Sequence, residues 1–176
     1  MLTGSSCIWQ SIRNGINIAA TLKIDRSSWD VASKKLANAI RKHPERFDHL
    51  GENKRRYAMN WYYPILAGIV KGQSAKELVR KEWQDFIIPD WGCRVALDED
   101  VTAVAETSEL IIALALIGEH KKAKMLLHWT LRLRDSKRGF CRGIKLPEQV
   151  PCPPDSERAT WTSAALIIAI AALSGT

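Results

Sequence analysis

Apolar helical stretches that alternate with amphipathic ones at a near-regular interval constrain this chain more than any other feature. The stretch Met59–Val70 reads Met-Asn-Trp-Tyr-Tyr-Pro-Ile-Leu-Ala-Gly-Ile-Val. Proline is tolerated in the first turn of a helix, where its missing N–H leaves no bond unmade. A largely buried helix is therefore predicted from about Asn60, with its aromatic cluster at the entrance. Glu106–Ile117 and Glu157–Leu173 repeat the design and are apolar on nearly every side, the mark of an enclosed helix. The first helix, Ser6–Leu22, carries Ile8, Ile12, Ile16 and Ala19 at helical spacing. Between these stretches lie helices with one apolar face each. The first runs to about Arg41 on Trp29, Ala32, Leu36 and Ile40. The second opens at a Ser74–Glu77 capping box and uses Ala75, Leu78, Val79 and Trp83. The third, His120–Arg134, uses Ala123, Leu127 and Leu131.

The apolar helices begin near residues 6, 60, 106 and 158. An interval of roughly 50 residues suggests repeated helical hairpins. The expected fold class is all-α: about seven helices in hairpins that form a partial α/α toroid, one domain over residues 1–176. Inner apolar helices face an axis and outer amphipathic ones coat them. The connections 86–104 and 135–155 are long and broken by Gly and Pro, with a short strand predicted at Cys93–Leu97. Both precede inner helices. The inner-helix entrances, with Trp9, Trp61, Tyr62, Glu106 and Trp161, are therefore expected to meet at one end.

The net charge of +7 and pI near 9.4 permit weak attraction to polyanions. The basic residues are dispersed, as in Lys34-Lys35, Arg41-Lys42, Lys54-Arg55-Arg56 and Lys121-Lys122, and no nucleic-acid motif appears. They read as a solvated surface, so no nucleic-acid partner is expected. Cys7, Cys93, Cys141 and Cys152 are widely spaced and make no Cys-x-x-Cys pair, which argues against a structural zinc site. The N-terminus has no signal-peptide pattern. The longest apolar runs, Leu110–Ile117 and Ala164–Leu173, fall short of the ~20 residues that span a bilayer. A cytoplasmic protein with reduced thiols and no integral membrane segment is expected.

Two acids stand out. Glu106 and Glu109 share one face at the start of an apolar helix. They read either as plain helix-start acids, favoured there by the helix dipole, or as catalytic acids of a pocket. Paired carboxylates that flank a sugar are the machinery of glycoside hydrolysis, and Glu157 at the start of another inner helix is a candidate for the second acid. Trp9, Trp61, Tyr62 and Trp161, together with Tyr63 and Trp91, read as substrate-binding aromatics or as core packing. Arg94 and Arg142, on the long loops, are suited to a phosphate or carboxylate.

The stretches Ala37–Phe47, Met59–Gly68, Ala105–Leu116 and Thr160–Leu173, with the order of the loops, resemble the α/α toroid of the terpenoid cyclase and protein prenyltransferase superfamily. More narrowly, they resemble bacterial prenyltransferase/squalene-cyclase-like proteins of uncharacterised activity. The resemblance implies about six hairpins in a full ring. This chain has room for about three and a half and looks like the C-terminal half. It implies either a homo-oligomer or pairing with a missing N-terminal half, because half a ring leaves apolar flanks uncovered. It also implies an aromatic-lined pocket for an apolar or isoprenoid ligand, at Trp9, Trp61, Tyr62 and Trp161. The family's aspartate-rich motifs are absent: Asp98-Glu99-Asp100 is the nearest run and reads as a solvated loop. His43, His49, His120 and His128 lie away from Cys93 and Cys141, so no metal is expected, and no cofactor is identified. Two alternatives stand beside this reading. One is a carbohydrate-active protein like the six-hairpin glycosidases, which use the same toroid. The other is a non-catalytic protein, a helical-repeat module that binds a partner or an inactive remnant of a longer enzyme.

Overall fold

The computed structural model describes residues 1–47, 56–135, 139–152 and 158–175. Among these, seven α-helices carry the fold: α1 (Leu2–Thr21), α2 (Ser27–Lys42), α3 (Met59–Leu66), α4 (Gly72–Phe86), α5 (Val104–Leu116), α6 (His120–Arg132) and α7 (Thr160–Ser174). Helix α3 packs between α1 and α5, and α5 packs between α3 and α7. Helices α2, α4 and α6 each pack against the inner helix they follow. The result is an all-α, partial toroid-like arc of hairpins, the expected fold class.

The core follows from which face each helix presents. Outer helix α4 turns Ala75, Val79 and Phe86 inward, and α6 turns Ala123 and Leu126 inward. They meet Trp61, Tyr62 and Ile65 of α3 and Leu110, Ile111 and Leu114 of α5 in one cluster. A smaller cluster of Ala37, Ile40 and Ile69 joins α2 to the end of the second hairpin. Helix α5 is enclosed on most sides, as its composition predicts. Helix α7 is not: Leu166 and Ala169 are buried while Ile167 and Ile168 face outward.

Several elements depart from the sequence reading. Pro64 lies inside α3 rather than in its first turn, and the helix stops two residues later, not at Val70. The ring nitrogen cannot donate to the carbonyl one turn back, and the chain leaves through tight turns in which Ile69 and Val70 donate to the Pro64 carbonyl. Helix α4 opens at Gly72 with Lys71 extended before it, so Ser74 sits in the first turn and caps nothing. On α1 the predicted stripe holds at Ile12, Ile16 and Ala19, which are half-buried or buried, but fails at its first member: Ile8 is exposed and Ser6 is buried instead.

The two long connections hold strands. β1 (Ile87–Ile88) pairs antiparallel with β2 (Gly92–Cys93), so the predicted Cys93–Leu97 strand is shorter and earlier. β3 (Val101–Ala103) pairs with β4 (Gly143–Lys145), and β4 with β5 (Val150–Cys152), in a small antiparallel sheet missed by the sequence reading. Ala103 ends β3 and caps α5, so the sheet fixes where α5 begins. A side chain at Gly143 would place Cβ 2.6 Å from the Thr102 carbonyl oxygen, closer than the pairing allows. Gly92 has φ +115° and approaches Thr107 of α5 so closely that a Cβ would lie 2.6 Å from its hydroxyl. That hydroxyl accepts the Cys93 N–H at 2.9 Å and donates to the Ala103 carbonyl at 2.6 Å, which ties both strand pairs to the entrance of α5.

Candidate active site

Glu106 and Glu109 lie in the first two turns of α5, and both face a cleft of about 330 Å³. Met59, at the start of α3, lines it with Ala105. So do Trp161, in the first turn of α7, and Arg142, on the loop before β4. The cleft therefore sits where the entrances of three inner helices converge, the end that the loop order predicts. Arg142 arrives by sheet register: Ala103 pairs with Gly143, and the Val104 N–H donates to the Arg142 carbonyl at 3.2 Å. This places the residue beside the first turn of α5.

The two acids have different surroundings. Glu109 is held by two phenols. Tyr62 donates to one carboxylate oxygen at 2.7 Å and Tyr63 to the other at 2.9 Å. Adjacent residues on a helix diverge by ~100°, yet both hydroxyls converge on one carboxylate because it sits across the α3–α5 groove. Burial, reinforced by the Glu109 charge, pushes the Tyr62 hydroxyl well above the usual phenol range and raises that of Tyr63. Both therefore remain donors at any working pH. Glu106 has no such clamp. Burial raises its pKa above the ordinary carboxylate value, with a further push from Glu109, while a hydrogen bond from its own backbone and the Arg142 charge oppose the rise. One acid thus has both oxygens occupied as acceptors, and the other is biased toward carrying a proton. A difference in environment between two neighbouring carboxyls is what acid–base chemistry uses.

Tyr63→Phe tests the clamp. It removes one donor from a partly exposed carboxylate, and a charge-assisted hydrogen bond is worth ~1.5–3 kcal/mol when buried. After allowance for exposure, a loss of about 1 kcal/mol is expected from urea unfolding at pH 7, with an unchanged denaturant slope. An unchanged midpoint would mean that solvent replaces the phenol at no cost.

Of the aromatic and basic residues expected at this site, the structure brings only some together. Trp161 lines the cleft, and Tyr62 reaches it through Glu109. Trp61 does not. It turns away from the acids, meets Tyr62 edge-on at 5.6 Å and Phe86 at 6.1 Å, and lines a separate apolar groove of about 440 Å³ with Ile40, Pro64 and Leu78. Trp9 faces α2, where its indole N–H donates to the Ser33 carbonyl at 3.0 Å. Arg94 is bound to Asp100 at 2.6 Å, and Arg56 to Asp98 at 2.9 Å and to Glu99 at 3.2 Å. The acidic run is thus an ion-paired loop, and Arg94 is one of its braces. Glu157 and His49 lie outside the described residues. Among the described residues, no three His, Cys, Asp or Glu side chains gather as a metal site.

Tyr63 and Arg142 carry more of the site than the sequence reading gave them. Tyr63 looked like one of many aromatics, and Arg142 like a lone loop arginine. The three-residue run of aromatics opposite a helix with two acids is the only sequence signal for Tyr63. For Arg142 the long-loop position is the only signal, and it holds equally for Arg94; its place beside Glu106 depends on strands about forty residues apart.

No family model matches the chain. A curated relative, MMP endo-(1,4)-3-O-methyl-alpha-D-mannosidase from Mycolicibacterium hassiacum, is 36% identical over all 176 residues of this chain. The chain spans about half of that relative's length, 47%. This match overturns the prenyltransferase and terpenoid-cyclase resemblance and the isoprenoid pocket built on it. The features that carried the resemblance, apolar inner helices with aromatic entrances, specify an arc of hairpins and not the chemistry at its centre. The match supports instead the carbohydrate-active alternative. Among the described residues, no helix is long and apolar enough to cross a membrane.

Proposed function

We propose that the Glu106 cleft binds an O-methylated mannoside, and that the chain contributes the acid-bearing side of a site for cleaving α-mannosidic bonds. The observation that carries this reading is the pair Glu106 and Glu109, facing one cleft with unlike surroundings, in a chain similar to a protein named as an endo-acting 3-O-methyl-α-mannosidase. Glu106 acts as proton donor to the glycosidic oxygen, because a carboxyl that keeps its proton longer is the better general acid. Glu109, fixed by Tyr62 and Tyr63, accepts sugar hydroxyls or faces the developing positive charge. Arg142 orients hydroxyls by donation. Trp161 stacks on an apolar sugar face, and Met59 offers a surface that favours a methyl ether over a hydroxyl. A volume of about 330 Å³ is at the small end of ligand pockets and suits a short saccharide segment.

Titration of a 1,4-linked 3-O-methyl-α-mannose oligosaccharide into the full chain, followed by tryptophan fluorescence and calorimetry, tests the reading. Binding is expected, tighter than for the unmethylated oligosaccharide and weakened by Trp161→Ala. Equal affinity for both sugars would sink the assignment of Met59 and Trp161, and no binding of either would sink the function.

A further inference from the structure

We propose that Thr107 is a positioning residue of the acid-bearing cleft: its hydroxyl pins segment 92–95 to α5 and so fixes Glu106 and Glu109 against the entrance of α3. The consequence for sugar cleavage rests on the function proposed above. Helix α5 starts without a side-chain cap, because Ala103 at its N-cap has only a methyl group. Its start is held from outside the helix. Thr107 lies one turn in, is 1% exposed, and is not among the described residues that line the cleft. Its single hydroxyl hydrogen goes to the Ala103 carbonyl, and its oxygen takes the Cys93 N–H. Valine has nearly the same shape and can do neither. Segment 92–95 carries this hold onward. Cys93 pairs with Ile87, just past the end of α4. The Val95 N–H donates to the Val101 carbonyl of β3 at 2.9 Å. The Val95 carbonyl accepts the Ala58 N–H at 3.1 Å, and Ala58 is the N-cap of α3. Thr107 is thereby joined to the start of the helix that carries Met59, Tyr62 and Tyr63.

This join matters because the cleft is built from two helices. The phenols of Tyr62 and Tyr63 reach Glu109 only while α3 and α5 keep their relative positions, since hydrogen bonds weaken steeply with misalignment. The same segment brings the fully buried Cys93 thiol close to both acids. Burial raises its pKa, with a further push from the charges of Glu106 and Glu109, so it stays neutral. The groups that face Glu106 are Glu109 on its own helix, Tyr62 and Tyr63 on α3, Cys93 on β2 and Arg142 on the loop before β4. Helix α7 brings no titratable side chain. Among these side chains only Arg142 favours the ionised acid. The proton on Glu106 is therefore kept chiefly by desolvation, and desolvation needs segment 92–95 in place. A loosened segment admits water behind the acid and lets its pKa fall toward the ordinary 4.5. A general acid that is already ionised has no proton to give.

The test compares Thr107→Val and Thr107→Ser with the unchanged full chain. Carbon-detected NMR follows the glutamate carboxyls against pH, with the Glu106 signal assigned by its loss in Glu106→Gln. Urea unfolding is measured alongside. In Thr107→Val the Glu106 midpoint is expected to fall by about one pH unit, a roughly tenfold larger ionisation constant. The 1,4-linked 3-O-methyl-α-mannose oligosaccharide is expected to bind it about fivefold more weakly. Serine keeps the hydroxyl and should restore both. A role in packing alone lowers the urea midpoint and leaves the Glu106 titration unmoved. That result, or a serine variant that restores neither, overturns the proposal. Two measurements stand even where Thr107→Val does not fold. Gly92→Ala keeps the Thr107 hydroxyl but crowds it with a Cβ at 2.6 Å, so the same fall is expected and an unmoved titration counts against the pin equally. In the unchanged chain the Cys93 amide should exchange as slowly as the amides of α5, and exchange at the rate of an open loop would sink the proposal. If the titration moves as expected but no form of the chain binds the sugar, Thr107 still positions the acids and the sugar reading falls.

Discussion

Replacing Glu106 by glutamine is expected to leave the fold at least as stable at pH 7 while it weakens saccharide binding about tenfold or more, the loss of one charge-assisted hydrogen bond. The two effects have opposite signs for one reason. Burial and the neighbouring Glu109 raise the folded-state pKa of Glu106 above the ordinary value of 4.5. A carboxyl with a raised folded pKa favours the fold while protonated. Its contribution is complete below the unfolded value and is lost as the pH rises through the folded value. At pH 7 the unfolded chain ionises this acid freely while the folded chain resists it, a cost to the native state that glutamine does not carry. Melting curves of both proteins at pH 4 and pH 7 measure this: the difference should vanish at pH 4 and favour the variant at pH 7. A variant that is less stable at pH 7 and still binds sugar would show that Glu106 is a helix-start acid and no more.

Tyr62→Ala is expected to cost about 3–5 kcal/mol, the range for deleting a large buried aromatic. Tyr62 is fully buried, holds Trp61 at 5.6 Å and Tyr63 at 5.4 Å, and donates to Glu109 at 2.7 Å. The substitution therefore opens a cavity between α3 and α5 and removes half of the Glu109 clamp. With a total stability of ~5–15 kcal/mol for a domain, such a loss takes a large share of what holds the arc together. Tyr62→Phe separates the two contributions. It keeps the ring packing and removes only the hydroxyl, so a loss of about 1–2 kcal/mol is expected. Urea unfolding of the two variants side by side gives the partition. If Tyr62→Phe were as damaging as Tyr62→Ala, the hydrogen bond rather than the ring would be what anchors α3 to α5.

Seven helices, their alternation and the end of the arc that holds the Glu106 cleft are legible in the sequence. Those follow from periodicity: inner helices such as Glu106–Ile117 are apolar all round because neighbours enclose them, and outer ones carry a single stripe. That Glu106, Glu109 and Trp161 line one cleft is legible for the same reason, since each opens or nearly opens an inner helix and the loop order gathers those openings. The direction of each side chain and every contact between distant segments come instead from the packing of the folded arc. Trp9 and Trp61 stand at helix positions as suggestive as that of Trp161, but their indoles turn to Ser33 and to Phe86, because helix rotation is set by packing against α2 and α4. Arg94, a loop residue like Arg142, pairs instead with Asp100. Arg142 reaches Glu106 only because β4 pairs with β3 across a long stretch of chain, an event that no local pattern records. Periodicity is a property of neighbours along the chain and survives in the sequence. Which apolar face meets which partner depends on the summed packing of all the helices, and only the folded arc expresses it.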